Sequence, residues 1–315
     1  MFVNAETSAR RGYTLIEVLV VTSIISLLIA ILIPAIQYAR ESSRRLACVN
    51  NLKQVGMALN SYEASHGVYP QGTNGSFYSA HAMILPYLDQ PMLFNSLNYS
   101  VPDPISSFSN ESANFTPGKI HLAVFCCPSD PDAGTNSTTN YSWNGGLGLQ
   151  NYDFIGSFGS AATVNLHSIK PSDLTDGLSN TAAMSEWQIG RINSSSETSV
   201  VFKVNINKPD PSKYGEFIQQ CEKSSRRTTE FGSWMKDALW VKGIYGSTLL
   251  NFNSPPNSLS CFYGLSSDFG NWPASSYHAS GVNVLFHDNH VSFYKNTTSL
   301  DLWKSIGTRS ANDGF

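Results

Sequence analysis

From Tyr13 to Ile36 the chain is apolar at nearly every position, and Glu17 is its only formally charged side chain. About 20 apolar residues at about 1.5 Å rise each suffice to cross a bilayer core, so this run predicts a membrane-spanning helix over 13–36. A secretory signal peptide has a shorter apolar core and small residues at its cut site. Here Ile31-Leu32-Ile33-Pro34 leads into a further helix-compatible stretch, so the segment is expected to be retained. Pro34 should kink the helix rather than end it. The pattern then narrows: Leu52, Val55, Leu59 and Tyr62 follow at spacings of three, four and three, which places them on one helical face that needs a partner surface. Gly67 is suited to the C′ position and Pro70 lies just beyond, so the helix should stop near His66. Roughly 50 helical residues would form a rod of about 75 Å, its first half in lipid and its second half packed on a globular body.

Past residue 67 the apolar runs shorten and turn residues multiply. Ser79 to Leu97 reads as a short helix, and Leu122 to Cys126 as a strand ending in the turn Cys127-Pro128-Ser129-Asp130-Pro131. Ser172 to Thr181 is dense in capping and turn residues, with Asp176-Gly177 as a turn pair, and Thr181 to Glu186 reads as a strand. Residues 193–240 combine a serine run with a charged patch, Lys223 to Glu230, and read as a surface insertion. Val282 to His287 and His290 to Tyr294 are two strands that Asp288-Asn289 should join as a two-residue type I′ hairpin. Leu300 to Trp303 closes the pattern as a short helix. The expected class is α+β: a long N-terminal helix, half membrane and half amphipathic, packed on an antiparallel β-rich head at 67–315.

Composition narrows the picture. At 315 residues, 41% of them hydrophobic and 14% charged, the chain can bury one large core or two small ones. A net charge of −3 carries no nucleic-acid footprint. Cys48, Cys126, Cys127, Cys221 and Cys261 include no CxxC pair, so zinc-ribbon and thioredoxin-like readings lack their spacing. In an oxidising compartment one or two disulfides are expected. Adjacent cysteines rarely bond each other, so the expected pair is Cys127 with Cys261, leaving Cys48 as an unpaired thiol. Arg10 and Arg11 precede the span while Arg40, Arg44 and Arg45 follow it, so the positive-inside rule does not orient it.

An ionisable group at the bilayer centre costs about 2.5 to 3.5 kcal/mol and less near the edge, so Glu17 needs a partner. Arg10-Arg11-Gly12-Tyr13-Thr14-Leu15-Ile16-Glu17, followed by the apolar helix, resembles the type IV prepilin signal, with Tyr13 in place of the usual phenylalanine. That resemblance implies removal of leader 1–12 by a prepilin peptidase cutting after Gly12, and methylation of the new amine of Tyr13. It also implies that Glu17 neutralises the ammonium of a neighbouring subunit in lipid. The implied location is the cytoplasmic (inner) membrane, single-pass, with the N-terminus cytoplasmic and the head in the periplasm or at the cell surface. A plain single-pass anchor, its Glu17 snorkelling to the interface, is the alternative.

Further blocks carry a second resemblance. They are Arg44 to Gly56 with His66-Gly67 and Tyr69-Pro70; Cys127-Pro128-Ser129-Asp130; Asn140-Tyr141-Ser142; Asp176-Gly177-x-Ser179-Asn180-Thr181 with trailing Glu186; and His278, nine residues, then Asp288. In this order they resemble the large bacterial family named domain of unknown function 1559, abundant in planctomycetes. Its members join a prepilin-type start to a β-rich body, which implies a pilin-like fold. Asn289 stands where that family usually has glycine, a conservative exchange for turn geometry.

Residue types offer other candidate chemistry. In a two-residue hairpin His287 and His290 face each other, and with His278 three imidazoles could hold a metal. No HExxH-type spacing and no placed carboxylate supports it, so exposed turn histidines, a loop-bound His278 and no metal are expected. Asp130 and Asp132 could ligate calcium, but Pro128 and Pro131 explain that segment as a rigid turn. No GxSxG, P-loop or GxGxxG occurs, so neither an enzyme nor a cofactor is expected. The reading is a non-enzymatic, membrane-anchored, pilin-like or pseudopilin-like protein acting by self- or partner association. The alternative is a surface-anchored binding module that uses the prepilin segment for export and anchoring.

Overall fold

The computed structural model describes residues 13–74, 76–101, 113–134, 137–149, 156–158, 168–190, 196–204, 213–225, 231–232, 236, 239–263 and 270–310. The chain divides into two compact units, Met1–Ser43 and Arg44–Phe315. One helix, α1 (Leu15–His66), begins in the first and ends in the second. It runs through Pro34 and stops where Gly67 turns to φ 71° and donates its N–H to Glu63 O at 2.7 Å. In the first unit every described side chain from Tyr13 to Arg40 is exposed. In the second, Cys48, Leu52, Val55, Ala58 and Leu59 are buried and Tyr62 packs at the margin of the core.

The remaining helices are α2 (Ala80–Met83), α3 (Pro91–Ser96), α4 (Phe115–Gly118), α5 (Tyr214–Glu222) and α6 (Leu300–Gly307). The strands are β1 (Tyr141–Asn144), β2 (Ala182–Glu186), β3 (Val201–Lys203), β4 (Phe231–Gly232), β5 (Leu249–Leu250), β6 (Ser260–Phe262), β7 (Gly270–Asn271), β8 (Gly281–Phe286) and β9 (Val291–Lys295). They form a five-stranded sheet ordered β5-β1-β2-β8-β9 and a four-stranded sheet ordered β4-β3-β6-β7. The fold is α+β and pilin-like. The head departs from purely antiparallel pairing at β1–β5 and β3–β6, which are parallel.

Residues 44–66 of α1 pack on the β8–β9 side of the larger sheet. A side chain at Gly56 would meet Asn289 Oδ1 at 2.1 Å and Leu285 Cδ1 at 3.0 Å, so glycine sets how near the helix can lie. Arg45 places its guanidinium 3.7 Å from the centre of the Phe293 ring. Beneath them Trp143, Trp240, Trp272 and Trp303 are fully buried with Phe125 and Phe158.

Three sequence expectations are corrected. The helix over 79–97 is three short pieces, α2, a 3₁₀ turn at Leu85–Leu88 and α3, because Asp89 turns to φ 57° and prolines stand near the start of the second and third. The strand over 122–126 is a 3₁₀ turn at Ala123–Phe125, with Phe125 N–H bonded back to Leu122 O at 3.0 Å. The β8–β9 connection has a three-residue loop, His287-Asp288-Asn289. Phe286 N–H donates to His290 O and Asn289 N–H to Phe286 O, both at 3.0 Å, and Asn289 alone in the loop has positive φ, at 70°. That is a type I turn followed by a left-handed residue, whereas type I′ needs two residues with positive φ. The described part of 193–240 contributes buried residues of its own. Phe202 of β3 and Phe217 and Cys221 of α5 build a second small core with Cys261. Lys236 there is fully buried, donating to Thr198 O and lying 4.3 Å from the Trp187 ring centre.

Candidate functional site

In the first unit, Glu17 Oε2 accepts from Thr14 N–H at 2.8 Å and Thr14 Oγ1 at 2.9 Å, while Thr14 Oγ1 accepts from Glu17 N–H at 3.3 Å. Thr14 immediately precedes the first helical residue, so this is a reciprocal capping box. The Thr14-x-x-Glu17 spacing is the sequence signature of such a box, a local partner for Glu17 beyond the one expected from a neighbouring subunit. Tyr13 is 88% exposed. Gly12 lies outside the described residues.

In the second unit the cysteine pairing is Cys48 with Cys127 and Cys221 with Cys261, which corrects the expected Cys127–Cys261 bond and the unpaired Cys48. Cys48 lies four residues before Leu52 on the buried stripe of α1, so the helix face that docks on the head carries its thiol to Cys127. The spacing signals that Cys48 faces the head, though not which cysteine it meets. Cys126 is the free cysteine: its Sγ points to Thr138 O at 3.6 Å, and burial pushes its thiol up to about 11.

Three motif blocks meet at the Cys48–Cys127 bond. His278 Nε2 lies 3.6 Å from Cys127 Sγ and 3.1 Å from Glu186 Oε1. Asn283 fixes the glutamate, donating its backbone N–H to Oε2 at 2.7 Å and its Nδ2 to Oε1 at 2.8 Å. Arg45 Nε reaches Asn283 Oδ1 at 3.5 Å. The turn holding Pro128 and Ser129 closes through Asp130 N–H to Cys127 O at 3.0 Å. Asn140 Oδ1 accepts from Cys127 N–H at 2.9 Å, and Asn140 Nδ2 donates to Asp130 Oδ2 at 2.7 Å. Burial raises the Asp130 carboxyl, against the pull of N–H bonds from Asp132, Ile189 and Asn140. Those donors hold both carboxylate oxygens, so Asp130 organises the turn.

His278 Nε2 thus faces both the Cys127 sulfur and the Glu186 carboxylate. Cys48, Cys127, Glu186 and His278 each offer one ligand atom within 4.8 Å of the others. The thiolate is the form of cysteine that ligates metals, and the disulfide withholds it.

His278, His287 and His290 do not gather. His278 precedes β8, whereas the other two follow it. His287 is buried, with ring centres of Tyr69 at 4.4 Å and Phe158 at 5.7 Å, and burial pushes it down to about 3. His290 stays more exposed, stacked on Phe286 with its Nδ1 2.6 Å from Asp288 Oδ1. Burial raises the Asp288 carboxyl, but bonds from His290 and from the Ser179 side chain outweigh it and hold the group below the usual carboxylate range. Gly177 adopts φ 94° within a turn that Asn180 Nδ2 closes on Asp176 O at 2.8 Å. Asp176, Ser179 and Asn180 then share with His290, Tyr294 and Lys304 an open cleft of about 770 Å³. The two motif ends therefore split: His278 goes to the disulfide, and Asp288 goes to the Asp176–Asn180 turn.

Residues 37–302 match the model of a family described as a protein of unknown function (DUF1559). Residues 7–33 match a prokaryotic N-terminal methylation motif. Type II secretion system core protein G of Escherichia coli (strain K12) is 28% identical over 141 residues, 45% of this chain and 94% of that relative. No solved structure matches.

Proposed function

The chain belongs to the DUF1559 family and carries the prokaryotic N-terminal methylation motif, and on that premise we propose that it is cut after Gly12 by a prepilin peptidase, methylated at Tyr13, and works without catalysis by associating with other pilin-like subunits through its apolar helix. The observation that carries this reading is the surface of α1. Leu15, Ile16, Val18, Leu19, Leu27, Leu28, Ile31 and Ile33 are each about half exposed or more, and a continuous apolar surface of that kind is stable in lipid or against like helices, not in water. The single charged residue of the span sits in its first turn. In the processed chain the Tyr13 ammonium of a neighbour offers Glu17 a counter-charge that the Thr14 box lacks. Two disulfides in the head favour its export to an oxidising compartment and a cytoplasmic N-terminus. The likeness to a type II secretion core protein favours a pseudopilin-type partner.

Mass spectrometry of the purified protein should find an N-methylated Tyr13 terminus; an intact Met1 terminus refutes processing. Glu17→Leu should leave the chain in the membrane yet abolish cross-linked ladders from a cysteine placed in 18–33. Undiminished ladders remove the role given to the carboxylate. The open cleft at Asp176, Ser179, Asn180 and His290 favours a second reading, an anchored binding module. Under it the wild-type chain gives no ladders at all.

A further inference from the structure

We propose that the buried cluster Cys48, Cys127, Glu186 and His278 is a metal site of the reduced protein. With the disulfide opened, two thiolates, one imidazole nitrogen and one carboxylate oxygen bind a thiophilic divalent cation of the zinc type. Disulfide and metal are alternative cross-links between α1 and the turn at Cys127. This inference is independent of how the apolar helix is used.

The geometry is set by residues that do not themselves ligate. Bond lengths of about 2.3 Å to sulfur and about 2.0 to 2.1 Å to nitrogen and oxygen give a tetrahedron with S···N edges of about 3.6 Å and N···O edges of about 3.3 Å. The structure holds Cys127 Sγ and His278 Nε2 at 3.6 Å and His278 Nε2 and Glu186 Oε1 at 3.1 Å. All four ligand atoms lie within 4.8 Å of one another, and the two sulfurs must part by rotation about the cysteine side-chain bonds to reach tetrahedral edges. Asn283 grips both oxygens of Glu186, and Asn140 holds the Cys127 backbone, the kind of outer support that orients metal ligands. Two thiolates and a carboxylate around a dication leave one negative charge, and Arg45 lies one hydrogen bond beyond Asn283. Sulfur with imidazole selects zinc-like ions over calcium or magnesium.

The step balances. A dithiol reductant passes two electrons and two protons to the Cys48–Cys127 bond, giving two thiols and its own cyclic disulfide. The cation then displaces both thiol protons to solvent, and His278 presents the Nε2 lone pair with its ring proton on Nδ1.

The test uses the full chain in detergent micelles, wild type and a Cys221→Ser/Cys261→Ser background that removes the second disulfide. Each is reduced with dithiothreitol, exchanged anaerobically into reductant-free buffer and titrated with Co²⁺. The expected result is one Co²⁺ per chain with thiolate-to-cobalt absorption in both, none in the oxidised forms, and loss of the band in Cys48→Ser and His278→Ala. A band that survives Cys48→Ser, a folded reduced chain without the band, or unfolding of the reduced wild type by near-UV circular dichroism overturns the proposal.

Discussion

Residues 15–36 and 48–62 of α1 are both helical and both rich in aliphatic side chains, yet the first stretch is exposed throughout while the second buries Cys48, Leu52, Val55, Ala58 and Leu59. Leu15 to Ile36 carries apolar residues all round the helix, which one face of a protein cannot cover. Cys48 to Tyr62 buries its apolar residues along one stripe and, Met57 apart, exposes mainly polar ones, which one sheet can cover. The distribution of apolar residues around the axis, rather than their number, separates a stretch suited to lipid from one suited to a head.

Acid should give the largest break between the two. His81 and His287 are both pushed down to about 3 by burial in the head, so they stay neutral when folded and bind protons on unfolding. Stability is therefore fully present above the unfolded value near 6.5 and falls as pH drops toward 3, with a slope approaching about 1.4 kcal/mol per pH unit for each histidine. In detergent, near-UV circular dichroism of the head should collapse with acid while far-UV signal from the apolar helix persists; joint loss of both signals refutes the separation. Next comes truncation. Leu59→Ala should cost the head about 2 to 5 kcal/mol in denaturant melts, and Leu28→Ala within about 0.5 kcal/mol of nothing. Equal effects would erase the contrast. Gly56→Ala should cost about 1 to 3 kcal/mol, because its methyl lands on Asn289 Oδ1. The double variant Gly56→Ala/Asn289→Gly should recover most of that, since glycine accepts the φ of 70° at 289. Failure to recover places the strain elsewhere. The smallest expected effect is Thr14→Ala, which removes the side-chain half of the capping box and should cost about 1 kcal/mol of helix start with the head's melt unchanged.

Local order was legible where one physical signal dominated: the 13–36 run, the Leu52–Val55–Leu59 stripe, the stop at Gly67, and strands β2, β8 and β9. It failed where two signals competed. Leu122 to Cys126 has the composition of a strand, but its backbone closes on itself as a 3₁₀ turn. Asp288-Asn289 looks like a two-residue turn, but His287 leaves the strand to be buried against Tyr69 and Phe158, which lengthens the loop by one.

The motif blocks were visible one by one as turns, a strand end and a hairpin. Their meeting was not, because contacts between residues 48, 127, 186 and 278 depend on sheet order and strand register, which local pattern does not carry. The sequence by itself determined a helix that is apolar all round and then striped, since both follow from side-chain periodicity about one axis. Only the tertiary structure decided which cysteine Cys48 meets and which motif histidine faces Glu186, because closing loops of that length is a property of the packed core and not of any segment.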